Sequence, residues 1–204
     1  APEFFAVTIE DILDKGEKYG AGKSLKNKKV VIEYTDPNPF KEFHIGHFMS
    51  NSIGESLSRV MEFAGADLKR VCYQGDVGMH IAKSIFGMLK NKWSFWKIYF
   101  LGSAVAKANF LGQAYAHGAK SFEEDVSAKE EIGIINKSIY SRDDYMVNYY
   151  YDIGRKWSLD YFDYIYKLVG TKFDKFFFES ETVETGQSIV EEYLDKGVFE
   201  VSGG

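Results

Sequence analysis

The sequence predicts an α/β protein, a parallel-sheet core continued by a largely helical insertion, and three observations carry that prediction. Lys29-Val30-Val31-Ile32-Glu33-Tyr34 is a short, mostly apolar run of the kind that fills a buried parallel strand. Ile53, Leu57, Val60, Met61 and Ala64 then recur at helical spacing, and Leu68 to Tyr73 forms a second strand-like run. Strand, helix and strand in close succession make a βαβ unit, whose crossover is right-handed in nearly all cases. Further on the pattern changes to a long, aromatic-rich helical stretch from Asp144 to Val169.

Taken in order, residues 3 to 18 place Phe5, Ile9, Ile12 and Leu13 on one helical face, with Gly20 as a stop. A polar link leads to the first strand, which Thr35-Asp36-Pro37-Asn38-Pro39 breaks. The helix from His47 to Ala64 ends where Gly65 supplies a left-handed cap. Ser121 with Glu124 has capping-box spacing. Seven tyrosines of the 144–169 stretch (Tyr145, Tyr149, Tyr150, Tyr151, Tyr161, Tyr164 and Tyr166) could stack on bases, but their helical spacing favours packing. Phe173 to Phe178 is expected as a strand, 183–196 as a helix capped by Gly197, and Val198 to Val201 as a last short strand. The chain runs out at Gly203-Gly204 without closing a recognisable domain.

Composition narrows the classes. A chain of 204 residues, 45% hydrophobic and 17% aromatic, can bury a real core. No apolar stretch approaches the roughly 20 residues that span a bilayer, and Ala1-Pro2-Glu3 does not open an export signal, so no membrane partner is expected. The single Cys72 excludes an internal disulfide and a four-thiolate zinc site and fits a cytoplasmic location. A formal charge of −5 argues against nucleic acid held by overall basicity, so any RNA contact is local or made elsewhere.

The sharpest feature is His44-Ile45-Gly46-His47, after a strand and at the opening of a helix. Imidazoles three apart at a helix start lie on one side, beside free backbone N–H groups and the positive end of the helix dipole, which together favour phosphate. Gly46 lets a nucleotide approach the backbone. Displacement at a nucleotide phosphate fits this arrangement, because donors around the developing charge do most of the catalysis. The plain alternatives are incidental histidines or a zinc pair, and two ligands without a third disfavour zinc. Ligands of parallel sheets sit at the carboxyl ends of the strands, so the loops 35–47 and 74–78 should face one crevice.

From Val31 to His47, the Pro37-Asn38 pair, Lys41 and the His-x-Gly-His element occur in an order and spacing that resembles the signature block of arginyl-tRNA synthetases. Ile53-Gly54-Glu55-Ser56-Leu57, Gly75-Asp76-Val77-Gly78 and, more weakly, Arg155-Lys156-Trp157-Ser158 are also similar to segments of that family. The resemblance implies a Rossmann-type (HUP-like) nucleotide-binding core. It implies activation of L-arginine with ATP, accompanied by Mg2+, and transfer of the arginyl group to tRNA(Arg), by a monomer without a tightly bound cofactor. It gives His44, His47 and Lys41 the catalytic and, with Gly46, the ATP-binding roles. Lys41 takes the place of the lysine in a Lys-Met-Ser-Lys-Ser-like loop, which this sequence lacks. Glu33, Asp36, Asn38 and Asp76 become the arginine-binding candidates. Glu33 could instead be a polar strand end, and Asp76 could equally cap a turn.

The family commonly shows serine at Asp36 and tryptophan at Val77, so these two positions depart from its pattern. On this reading residues 1–28 are a helix and link, 29–90 the first half of the catalytic domain, and 91–204 a mostly helical insertion that begins the return to it. The anticodon-binding and N-terminal RNA-binding modules of the family are missing, so tRNA contact falls mostly to absent domains and the chain is expected to be an inactive fragment. The competing readings are another class I synthetase, a nucleotidyltransferase with the same phosphate element, or a binding module without catalysis.

Overall fold

A computed structural model describes residues 2–201; the terminal Gly203-Gly204 lies outside them. The helix expected at the start forms as α1 (Pro2–Lys15), continued by a short 3-10 turn (Gly16–Lys18). The core follows as β1 (Lys29–Glu33), α2 (Ile45–Phe63) and β2 (Asp67–Gln74). Five helices come next: α3 (Met79–Lys90), α4 (Lys92–Leu101), α5 (Ala104–Glu124), α6 (Val126–Ser141) and α7 (Tyr145–Val169). β3 (Lys175–Phe178) and α8 (Glu179–Asp195) complete the order.

The three strands form one parallel sheet in the order β1-β2-β3, with Glu33 opposite Val71 and Gln74 opposite Phe178. β1-α2-β2 is the βαβ unit read from the sequence, and the helical insertion lies inside the crossover from β2 to β3. Strand alternation sends Tyr34 into a small core with Cys72, Phe162, Tyr166 and Phe173, while Val31 on the opposite face stays 67% exposed. The apolar run of β1 therefore marks a parallel strand correctly, but only one face of it is covered by this chain.

Helix α2 forms where expected, with its apolar stripe turned to solvent. Its buried residues are Asn51, Gly54 and Ser58, whereas Ile53, Leu57 and Val60 of the apolar stripe are exposed. Close approach sets this orientation: a Cβ on Gly54 would lie 2.2 Å from the Tyr34 ring, so only a glycine lets the helix sit on β1. The polar side chains on that face are satisfied. Asn51 Nδ2 donates to Thr35 Oγ1 at 2.9 Å, and Thr171 Oγ1 donates to Asn51 Oδ1 at 2.9 Å.

The insertion packs α3 to α7 around Ile81, Ile85, Phe95, Leu111, Ile132, Tyr150 and Trp157. Asp125 and Asp144 cap α6 and α7 by accepting backbone N–H bonds. Ser121 and Glu124, expected at a helix start, instead fall in the last turn of α5, because Asp125 takes the capping position. Tyr150, Tyr151 and Tyr166 are buried, so packing explains them, while Tyr145 and Tyr164 reach solvent. Helix α8 starts earlier than the 183–196 reading, with Glu179 and Glu181 in its first turn complementing the helix dipole. No strand follows it: Val198 to Val201 is irregular and exposed, because no neighbouring strand offers it a ladder.

Helices α3 and α5 cross at two glycines, where a Cβ on Gly118 would lie 2.0 Å from the Lys83 carbonyl oxygen and one on Gly87 2.1 Å from that of Ala114. Gly118→Ala is expected to cost about 1–3 kcal/mol by overpacking. Gly133→Ala in α6, with nothing within 4 Å of the added methyl, is expected to stabilise by up to about 1 kcal/mol. Thermal denaturation of the two variants checks the difference in sign.

Candidate active site

The loop between β1 and α2 holds a strained backbone, with Thr35, Asp36 and Phe40 at φ of 79°, 46° and 65°. Non-glycine residues persist there only when their surroundings fix them. Thr35 N donates to Ser50 Oγ at 3.1 Å, and the Asp36 carboxylate accepts from Tyr73 N at 2.8 Å. Asn38 Oδ1 accepts from Gly75 N at 3.2 Å, and Phe40 N donates to Ser158 Oγ at 2.8 Å. The Phe40 side chain is fully buried against Gly154 of α7, where a Cβ would come within 2.2 Å of its ring. Asp36 and Asn38 thus continue by side chain the pairing that β1 and β2 make by backbone, and the two loops share one crevice at the carboxyl ends of the strands.

At the start of α2 the two histidines cap each other. His44 Nδ1 accepts from Gly46 N at 3.1 Å, His47 Nδ1 accepts from His44 N at 3.3 Å, and the rings stack with centroids 3.8 Å apart. A Cβ on Gly46 would press on the His44 ring at 3.0 Å, so glycine is what lets that ring fold back. Because each Nδ1 is occupied as an acceptor, the neutral tautomer of each imidazole carries its proton on Nε2. Burial, helped by His44 and Lys41, pushes the His47 pKa down to about 4, so this ring is neutral near pH 7. Lys41 lies with its ammonium 4.9 Å from the Tyr115 ring centroid.

Two residues that sequence reasoning missed join this group. His80 is depressed chiefly by burial and next by Lys41, and it makes a 3.1 Å bond from Nε2 to the Gly75 carbonyl. Glu179, the first residue of α8, converges with Asn38 on Gly75: a Cβ there would meet Asn38 Oδ1 at 2.8 Å and Glu179 Oε2 at 3.1 Å. His80 follows the Gly75-to-Gly78 turn and was visible in principle as a third histidine on the same strand edge. Glu179 stands 104 positions beyond Gly75 and carries no local signal.

The remaining candidates are placed differently. Glu33 is exposed at the end of β1, on the sheet face opposite Tyr34. Asp36 is half-buried, and burial raises its carboxyl above the usual range in spite of the Tyr73 N–H. Asp76 is wholly buried and saturated: it accepts from Arg155 Nε at 2.8 Å, Tyr151 OH at 3.1 Å, and both N and Oγ of Ser180 at 2.8 Å. It ties the end of β2 to α7 and α8. Val77 fills the apolar core beside Phe40.

Comparison with known proteins agrees with this geometry. Residues 8–203 match the family model described as tRNA synthetases class I (R), catalytic domain. The arginine–tRNA ligase of Borreliella afzelii is 32% identical over 197 residues, covering 96% of this chain and 33% of that protein. That of Treponema pallidum is 32% identical, covering 95% and 32%. The chain thus spans about a third of the length of these relatives. Among solved structures, arginyl-tRNA synthetase from Plasmodium falciparum superposes with a TM-score of 0.61 at 22% identity, covering 90% of this chain and 30% of that one. The Thermus thermophilus enzyme gives 0.59 at 20% identity, covering 84% and 28%. Both likenesses bear on the fold, which is Rossmann-like with a mostly helical remainder. With its sequence matched almost end to end, the chain belongs to the class I (R) tRNA synthetase catalytic-domain family.

Proposed function

We propose that the protein containing this chain is an arginine–tRNA ligase, and that this chain supplies the ATP-phosphate side of its active site. The observation that carries the reading is the stacked His44–His47 pair, with both Nδ1 atoms occupied, at the amino end of α2. Both Nε2–H groups are left to donate to phosphate at the positive end of the helix dipole. In the reaction, the carboxylate of L-arginine attacks the α-phosphorus of ATP, the bond to the β-phosphate oxygen breaks, and pyrophosphate leaves with that electron pair. A ribose hydroxyl of the terminal adenosine of tRNA(Arg) then attacks the arginyl carbonyl, loses its proton to solvent, and releases AMP.

The Nε2–H groups of the two histidines donate hydrogen bonds to charge that builds on the phosphates, and Lys41 neutralises it. Asn38 spends its Oδ1 on Gly75, so its amide N–H2 is available to the amino acid's carboxylate. Glu33 and Glu179 are the carboxylates suited to the cationic end of arginine, whose fork of donors pairs with two oxygens. Asp36 and Asp76, both engaged by protein donors, are assigned to holding the crevice rather than to direct contact. Among the described residues no three His, Cys, Asp or Glu side chains gather to hold a metal, and Mg2+ is assigned to the ATP it accompanies. No helix among the described residues is long and apolar enough to cross a membrane. A cytoplasmic monomer is part of the same proposal, consistent with the buried, unpaired Cys72.

Charging of tRNA by the complete parent protein, assayed with arginine against a panel of other amino acids, tests the reading. Arginine alone should be accepted; charging with another amino acid, or transfer of a nucleotide to a small molecule, would replace it. In that protein Lys41→Ala and His47→Ala are each expected to lower kcat by about 10²–10³-fold, the usual cost of removing one donor to transition-state charge, with far-UV circular dichroism unchanged. His47 also gives a pH prediction. Its folded pKa is lowered, so as pH falls from about 6.5 to about 4 the unfolded chain gains a proton that the folded chain does not, and stability declines across that window. NMR titration should show the His47 imidazole still neutral at pH 5, and a midpoint near 6.5 would remove this account of its state.

A further inference from the structure

Helix α8 begins without a cap of its own. Phe178 occupies the N-cap position with no side-chain acceptor to offer, and none of the helix's residues is buried. The first N–H groups of a helix have no partner within it and need one from outside. Here the acceptor comes from the end of the neighbouring strand. The Asp76 carboxylate accepts from Ser180 N on Oδ1 and from Ser180 Oγ on Oδ2, both at 2.8 Å. A fully buried side chain after β2 thus does for α8 what a capping residue does for other helices. Arg155 joins from α7, donating from Nε to Asp76 Oδ2 at 2.8 Å while its guanidinium lies 4.0 Å from the Phe178 ring centroid.

Glu179 is held from both sides by this arrangement. Phe178 before it lies under Arg155, and Ser180 after it is bound to Asp76. Its own carboxylate is treated differently. Among the described residues it has neither a hydrogen bond nor an ion pair, and only the Glu179 backbone oxygen is met, by Thr182 Oγ1 at 3.0 Å. The side chain is nevertheless half-buried, beside the Gly75 turn that Asn38 also reaches. A carboxylate partly withdrawn from water and given no donor is stabilised when a cation meets it.

We propose that Asp76 is a positioning residue for amino-acid binding: through Ser180 and Arg155 it fixes the first turn of α8 so that Glu179 stands beside Asn38 at Gly75, where its unpaired carboxylate receives the cation of arginine. The two carboxylates divide the task. Asp76, saturated by protein donors, sets the geometry, and Glu179, spared every protein donor, offers its charge to the ligand. This inference rests on the ligase reading for the identity of the substrate, and on this chain's own bonds for the device.

The test uses the complete parent protein with tRNA(Arg) and varies arginine and ATP separately. Ser180→Ala deletes the Oγ bond and leaves the backbone N–H on Asp76, so far-UV circular dichroism should be unchanged. It should raise the KM for arginine about tenfold, the usual effect of one hydrogen bond to a charged group, and leave the KM for ATP as it was. Ser180→Thr, which keeps the hydroxyl, should restore the wild-type value. Glu179→Gln should raise the arginine KM further, and adding Ser180→Ala to it should change nothing more, because a residue that acts through another has no effect once that other is gone. Asp76→Asn strips Arg155 of its buried partner and endangers the fold, so the decision rests on the Ser180 and Glu179 variants. An arginine KM unmoved by Ser180→Ala, equal rises for arginine and ATP, or full additivity of the two substitutions would overturn the inference while arginine charging by wild type stands. Charging of a different amino acid by wild type would instead remove the ligase reading, and arginine as the occupant of Glu179 with it.

Discussion

The placement of Phe40 over Gly154 is the constraint on which the site depends. Phe40 sits between the strand that starts the crevice and the helix that carries the histidines, and its backbone is held at a positive φ that the chain would not adopt alone. A fully buried ring against a glycine of α7, with the backbone N–H on Ser158 of the same helix, fixes the loop to an element 118 positions away. The adjoining Lys41 is then directed at Tyr115 and the crevice, and the chain re-enters a helix at His44, where the two histidine rings cap the His44 and Gly46 N–H groups. The helical insertion is therefore the second wall of the crevice rather than an appendage to the sheet.

How much of this was legible in the sequence depended on the range of the interaction. β1, α2 and β2 and the mutual position of His44 and His47 follow from local spacing, and all of them formed as read. The facing of α2 does not follow from that spacing. The helix is in fact seated by Gly54 and Ser58, and the periodicity of large side chains is silent about where small ones permit contact. His80 and Glu179 lay beyond reach for a related reason: they join the site through the turn after β2 and the first turn of α8, which only the sheet order β1-β2-β3 brings together. Asp36 acts at equally long range, since its carboxylate receives the Tyr73 N–H and braces the loop.

The faces left open are also informative. A parallel sheet is ordinarily covered on both sides, yet Val31 stands on a bare face, and the outer stripes of α1 and α2 are exposed. The α2 stripe of Ile53, Leu57 and Val60 is aliphatic, the kind of surface that packs against another layer of the same fold. The chain spans about a third of the relatives it matches, so aliphatic faces of this sort are suited to the remainder of such a longer chain.

Charge in the crevice is arranged by neutralisation rather than by accumulation. Asp76, at the mouth of β2, is buried without exposure and gives its oxygens to Arg155, Tyr151 and Ser180, so it contributes rigidity and little field to the open side. His47 is kept neutral by burial and by the nearby Lys41 and His44. A doubly protonated pair of stacked imidazoles would repel at 3.8 Å, and each Nδ1 would lose the backbone N–H it now accepts, dismantling the cap of α2. With each Nδ1 accepting a backbone N–H, the pair keeps that cap and still offers two Nε2–H donors in fixed directions. Lys41 adds a cation on a longer side chain from the loop, while the Arg155 guanidinium is spent on Asp76. Directional donors held by the helix and a cation held by the loop avoid the mutual repulsion that a single cluster of cations would carry.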